Sequence, residues 1–101
     1  MPKLREVCDH IRSKNAGPFW ITIDIFFRDA AAMMRFADAA ALSSAAIGAR
    51  FGVNSELVKR FPLPNLAVLK ISYPRTRPQG GEEERDMHGG QQYVGLLDVE
   101  V

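Results

Sequence analysis

Phe19-Trp20-Ile21-Thr22-Ile23-Asp24-Ile25-Phe26-Phe27-Arg28 alternates without a break. Successive side chains of an extended chain point to opposite faces. Phe19, Ile21, Ile23, Ile25 and Phe27 therefore share one face, and Trp20, Thr22, Asp24, Phe26 and Arg28 share the other. Alternating β-branched and aromatic residues predict a strand over 19–28 with its odd face on a core.

On the C-terminal side of this strand, Asp29 reads as an N-cap for an alanine-rich helix from Ala30 to about Leu42, with Met33, Phe36, Ala37 and Ala40 as its buried stripe. Ser43 or Ser44 caps a second helix, in which Ile47 and Phe51 lie four apart, and Gly52 supplies its left-handed stop. Leu57 to Leu63 reads as a strand, but Pro62 within it and Pro64 just after it confine it to a sheet edge. Leu66 to Tyr73 alternates again, Ala67, Leu69, Ile71 and Tyr73 against Leu66, Val68, Lys70 and Ser72. The expected core therefore includes Ile21, Ile23, Ile25, Leu69 and Ile71. Pro74 to about Asp86 carries Pro78, Gly80, Gly81 and the run Glu82-Glu83-Glu84, and reads as a long loop. Leu4 to Arg12 and Tyr93 to Val101 each fit a helix and a strand equally well.

The chain has 101 residues, with 13 Lys+Arg against 12 Asp+Glu. That length makes one domain, 1–101, burying about two-thirds of its unfolded surface. Near-neutral charge without a basic stripe argues against nucleic acid or anionic membrane as the main partner. The single cysteine, Cys8, excludes an internal disulfide and points to a reducing compartment. The opening residues do not read as a signal peptide, and no apolar run is long enough to cross a bilayer, so a cytoplasmic location is expected.

Three blocks extend the reading: His10-Ile11-Arg12-Ser13-Lys14-Asn15-Ala16-Gly17-Pro18-Phe19-Trp20, then Leu63-Pro64-Asn65-Leu66, then Arg85-Asp86-Met87-His88-Gly89-Gly90-Gln91-Gln92. With the closing Leu96-Leu97-Asp98-Val99-Glu100-Val101, they make the chain resemble a small bacterial family of domains of unknown function related to the ferredoxin-fold module of AtuA-type (acyclic terpene utilisation) proteins. The resemblance implies that Leu4–Arg12 is a strand and the tail a helix. The fold class is then α+β, a ferredoxin-like two-layer sandwich in the circularly shifted order β-β-α-β-β-α, whose antiparallel sheet has helices on one face. The resemblance also implies an accessory subunit beside a larger AtuA-type chain in the catabolism of branched or terpenoid acids or their acyl thioesters. AtuA-type modules tend to carry an Arg-Ser-Gly-Asp-Lys-Gly-like turn where this chain has Arg12-Ser13-Lys14-Asn15-Ala16-Gly17. The acid that a metal or acid–base role would use is missing here.

Candidate chemistry falls in three places. Arg12, Ser13, Lys14 and Asn15, before Gly17, put cations, a hydroxyl and an amide into a turn able to hold a carboxylate or phosphate. The same residues are also ordinary hairpin stock. Asp86, His88 and Gln91 flank a Gly-Gly step at the start of the expected last helix, where an anion is favoured, or form a Gly-rich loop end. Arg12, Lys14 and His88 are expected to converge on one carboxylate or phosphate group, and the resemblance implies a carboxylate or acyl-thioester ligand. Cys8, His10 and His88 are the soft metal ligands. Cys8 and His10 would share a face of a regular strand, but Cys-x-His is no recognised metal spacing, and a buried thiol is the better reading. Neither a metal nor a cofactor is expected, because no phosphate loop, catalytic triad or paired-cysteine motif is present.

The third place is the sheet face away from the helices, where Trp20, Thr22, Asp24 and Phe26 join Leu66, Val68 and Lys70. Each aromatic buries about 150–250 Å², and the group approaches the roughly 400 Å² that soluble monomers avoid exposing. This face is expected to meet a partner, either the larger chain or further copies of itself. A non-catalytic or co-catalytic subunit is the leading reading. The alternatives are an independent lyase- or hydratase-like enzyme using His88 and a homo-oligomeric ligand-binding protein.

Overall fold

A computed structural model of the chain describes residues 2–17, 19–75 and 95–101. Four strands, β1 (Cys8–Asn15), β2 (Trp20–Phe27), β3 (Lys59–Leu63) and β4 (Val68–Pro74), form an antiparallel sheet in the order β1-β2-β4-β3. A one-turn helix α1 (Leu4–Val7) precedes β1, and helices α2 (Ala30–Phe36) and α3 (Ser44–Phe51) connect β2 to β3. This is an α+β two-layer sandwich. The strand order is the one obtained when a ferredoxin-like β-α-β-β-α-β chain is cut after its first helix.

The alternation in β2 sets the core. Ile21, Ile23 and Ile25 are fully buried beside Leu69 and Ile71 of β4, and Leu4, Met33, Leu42, Ile47 and Leu96 close over them. Tyr73 stacks on Phe51 of α3 with ring centroids 4.5 Å apart. The expected capping also holds. Asp29 accepts from the Ala32 amide, Ser43 from the Ala46 amide, and Gly52 takes the left-handed conformation at φ 70°. Gly48 is required for a different reason. A Cβ there would sit 2.7 Å from the Val53 carbonyl oxygen, so a side chain would push the following loop off the helix.

Several boundaries differ from expectation. Helix α2 stops at Phe36, and Ala40–Leu42 forms a separate 3-10 turn. Arg60 of β3 donates to the Ala37 carbonyl at 2.6 Å, occupying an acceptor that a longer helix would use. In a continuous helix Leu42 would follow Met33 by about two and a half turns of 3.6 residues and face away from the core. The break turns Leu42 inward and leaves Ala40 exposed.

Strand β4 begins at Val68, because Pro64–Leu66 is a 3-10 turn and Ala67 is left-handed at φ 53°. Leu66 thus leaves the sheet face and stands 68% exposed. Strand β3 begins at Lys59, after a 3-10 turn at Ser55–Leu57 capped by Asn54.

The N-terminal segment is both elements in succession, a helical turn and then a strand that continues to Asn15. Its pairing slips between Cys8 and His10, so Asp9 is the extra residue of a bulge. Cys8 therefore faces the core and His10 the other side; the expectation that they share a face fails. Over the described residues 95–101 the tail is a 3-10 turn at 95–96 that gives way to extended chain, so the expected helix does not continue through them. The tail runs beside the N-terminus through the Lys3–Glu100 bridge and amide bonds from Leu4 to Val99 and from Arg5 to Leu97. Leu96, Val99 and Val101 are buried, so this segment enters the core.

Candidate functional site

The sheet face opposite the helices is built in ladders, because Thr22, Asp24 and Phe26 of β2 each have a partner on both sides. One ladder runs Lys14, Thr22, Ser72, Lys59; the next runs Arg12, Asp24, Lys70, Phe61; the third runs His10, Phe26, Val68, Leu63. Trp20 stands beyond them, paired with Pro74. The paired positions carry four fixed cations, Arg12, Lys14, Lys59 and Lys70, against one carboxylate, Asp24. The chain's near-neutral total conceals this local excess.

Asp24 is only 3% exposed. Arg12 Nε donates to its Oδ2 at 3.3 Å, while Oδ1 is buried with no hydrogen-bond partner. Thr22 Oγ1 and Ser72 Oγ lie 3.1 Å apart and share a hydrogen bond. The aromatic rings carry cations above them. The His10 ring stacks on Phe26 at 4.1 Å, the Arg12 guanidinium lies 5.1 Å from the Phe26 centroid, and Lys59 Nζ lies 5.2 Å from the Trp20 centroid. Such contacts stabilise and also shield the rings. Trp20 and Phe26 are accordingly half-buried, and Thr22, Asp24 and Val68 are buried. The face is more covered by its own long side chains than alternation alone implied.

Among the described residues no carboxylate pairs with Lys14, Lys59 or Lys70. A pocket of about 200 Å³ opens between Ala16, Trp20, Lys59, Phe61 and Ser72. A second, of about 360 Å³, lies along Leu63-Pro64-Asn65-Leu66.

The candidate turn at 12–17 is mostly strand. Arg12 to Asn15 belong to β1, and only residues 16–19 connect to β2, through Gly17 at φ 85° and the Ala16 amide bonded to the Trp20 carbonyl. Strand geometry separates its members. Arg12 and Lys14 project onto the open face, whereas Ser13 is buried on the helix side. Arg75 donates to the Asn15 side-chain oxygen, tying the end of β1 to the end of β4. Asp86, His88 and Gln91 lie outside the described residues, as does any meeting of His88 with Arg12 and Lys14.

Of the expected interface, Trp20, Thr22, Asp24, Phe26, Val68 and Lys70 share the open face, and Leu66 does not. Lys59 and Phe61 join it without having been singled out, as does His10, weighed only as a metal ligand. The alternation Lys59, Phe61, Leu63 would have placed two of them there, but Pro62 and Pro64 drew attention to edge position instead of facing.

Cys8 Sγ donates to the Leu4 carbonyl at 3.2 Å. Burial pushes its thiol above the ordinary value, the Asp9 charge adds to the rise, and Arg28 opposes it. Among the described residues no group of three or more His, Cys, Asp or Glu is placed to hold a metal, and no helix is long and apolar enough to cross a membrane.

These features define a small two-layer α+β domain with a basic, aromatic sheet face. Residues 4–100 match the family described as Domain of unknown function (DUF4387), and the chain belongs to that family. No curated protein and no solved structure matches it.

Proposed function

We propose that the chain is an accessory small subunit that docks through the open face of its sheet onto a larger AtuA-type chain, in the catabolism of branched or terpenoid acids or their acyl thioesters. The observation that carries this reading is the charge arrangement of that face: Arg12, Lys14, Lys59 and Lys70 surround a single buried carboxylate, with Trp20 and Phe26 half-buried among them. A partner surface with an apolar centre and a carboxylate rim complements it. The resemblance of the three sequence blocks to AtuA-associated modules supports the choice of partner.

The test is co-expression of the tagged chain with the AtuA-type chain of the same host. Co-elution at a fixed ratio, weakened by salt, is expected. Trp20→Glu and Lys70→Glu should each release the larger chain while the circular dichroism spectrum stays that of the native fold. Separate elution of the two wild-type chains overturns the proposal. If Trp20→Glu instead disperses a homo-oligomer of the chain alone, the occupant of the face is a second copy.

A further inference from the structure

The pocket at the β2–β4–β3 corner is chemically two-sided. Trp20, Phe61 and Ala16 give it apolar walls, while Lys59 and Ser72 place an ammonium and a hydroxyl at its rim. We propose that this pocket binds a small monocarboxylate with a compact apolar body, held by Lys59 and the Ser72 hydroxyl with its body against Trp20 and Phe61.

Hydrogen-bond accounting supports the polar half. Thr22 and Ser72 share one bond at 3.1 Å. A hydroxyl has one proton, so when Thr22 donates to Ser72, the Ser72 proton is free to point outward. Lys59 has no carboxylate partner among the described residues and rests 5.2 Å from the centre of the Trp20 ring. An incoming carboxylate can accept from both groups, and the ammonium gains a stronger partner than the ring offers.

The donor set argues for a single negative charge. Phosphate sites use guanidinium forks or several converging backbone amides. Here there is one lysine, a point charge, and the nearby Ala16 amide is already engaged by the Trp20 carbonyl at 2.9 Å. At about 200 Å³ the pocket also falls below the range of roughly 300–1,000 Å³ usual for drug-sized ligands. A compact acid suits it. Its polar groups, Lys59 and Ser72, are not among those expected to hold an anion, and all of its lining residues belong to this chain.

Trp20 is the chain's only tryptophan, so its fluorescence reports the pocket directly. The full chain alone is titrated with cyclohexanecarboxylate, which is transparent where tryptophan is excited. The neutral cyclohexanecarboxamide and inorganic phosphate serve as matched probes. A saturable change in Trp20 emission is expected with the carboxylate, binding at least roughly ten-fold weaker with the amide, and no saturation with phosphate. Lys59→Met should weaken the carboxylate by about ten-fold or more, whereas Lys14→Met, on the same face but outside the pocket, should leave it unchanged. Ser72→Ala provides a second variant with no charge change, and should also weaken the carboxylate. No saturable response overturns the proposal. So does equal binding of the amide or of phosphate, or equal loss in the Lys59 and Lys14 variants.

Discussion

The two faces of the sheet are made from the same strands and are closed by different physics. On the helix side, Ile21, Ile23, Ile25, Leu69 and Ile71 are sealed by whole elements: two helices, a 3-10 turn and the C-terminal segment. On the other side no helix is described. The His10 ring instead stacks on Phe26, the Arg12 and Lys59 cations sit over the Phe26 and Trp20 rings, and short side chains such as Asp24 and Thr22 are buried beneath taller neighbours. Long amphipathic side chains can cover apolar surface while keeping their charges in water. Burial on the first face is therefore permanent, while burial on the second is exchangeable. A partner or ligand can displace a lysine from a ring without unfolding anything.

Substitution on the two faces should separate them. Ile23→Ala is expected to cost about 3 kcal/mol, because its cavity opens in a fully buried layer, as read from urea denaturation. Its neighbour Thr22→Ala should cost about 1 kcal/mol, the scale of one shared hydroxyl bond. Equal losses would mean that the open face is as rigidly packed as the other.

Asp24→Val sharpens the contrast. The carboxylate is buried with one oxygen unpartnered, and its one cationic partner, Arg12, is largely exposed. Replacing such a group with an apolar, β-branched residue should change stability by less than about 1 kcal/mol, or raise it. Thermal melting of the variant checks this. A drop as large as that for Ile23→Ala would show that Asp24 organises the face.

The smallest effect is confined to alkaline solution and to the helix side. The thiol of Cys8 titrates higher when folded than the ordinary value of about 8.5. The folded state thus holds its proton more tightly than the unfolded state. The associated stability is complete below the unfolded value and is lost as pH rises through the folded one. Denaturation midpoints should fall in this alkaline window for the native chain, and Cys8→Ala should remove that part of the fall. An identical alkaline profile in both proteins would assign the loss elsewhere.

Legibility in the sequence followed the range of the interactions that decide each element. Strand β2, both helix caps and the stop at Gly52 rest on neighbours within four residues, and all are readable. The end of α2 depends on Arg60, more than twenty residues away, and no local pattern shows it. Segment 4–12 looked divided because it is divided: apolar residues at Leu4, Val7, Cys8 and Ile11 keep helical spacing across a bulge that restores strand pairing. For the site, alternation identified the open face, and charge counting over the whole chain hid its basic character. The roles of Asp86, His88 and Gln91 lie outside the described residues.

The bulge at Asp9 has a consequence for durability. Had β1 paired regularly back from His10, Asp9 would face Phe27 in the core and Cys8 would turn outward. The extra residue reverses this, keeping a carboxylate out of the interior and sealing the chain's only sulfhydryl against Leu4. Peroxide and foreign disulfides attack exposed thiolates, so this pairing, which keeps Cys8 on the core side, shields the thiol from sulfenylation and covalent cross-linking. Shortening β1 at Asp9 should also be tolerated, because the strand can lose that one residue and still present the same groups on both sides.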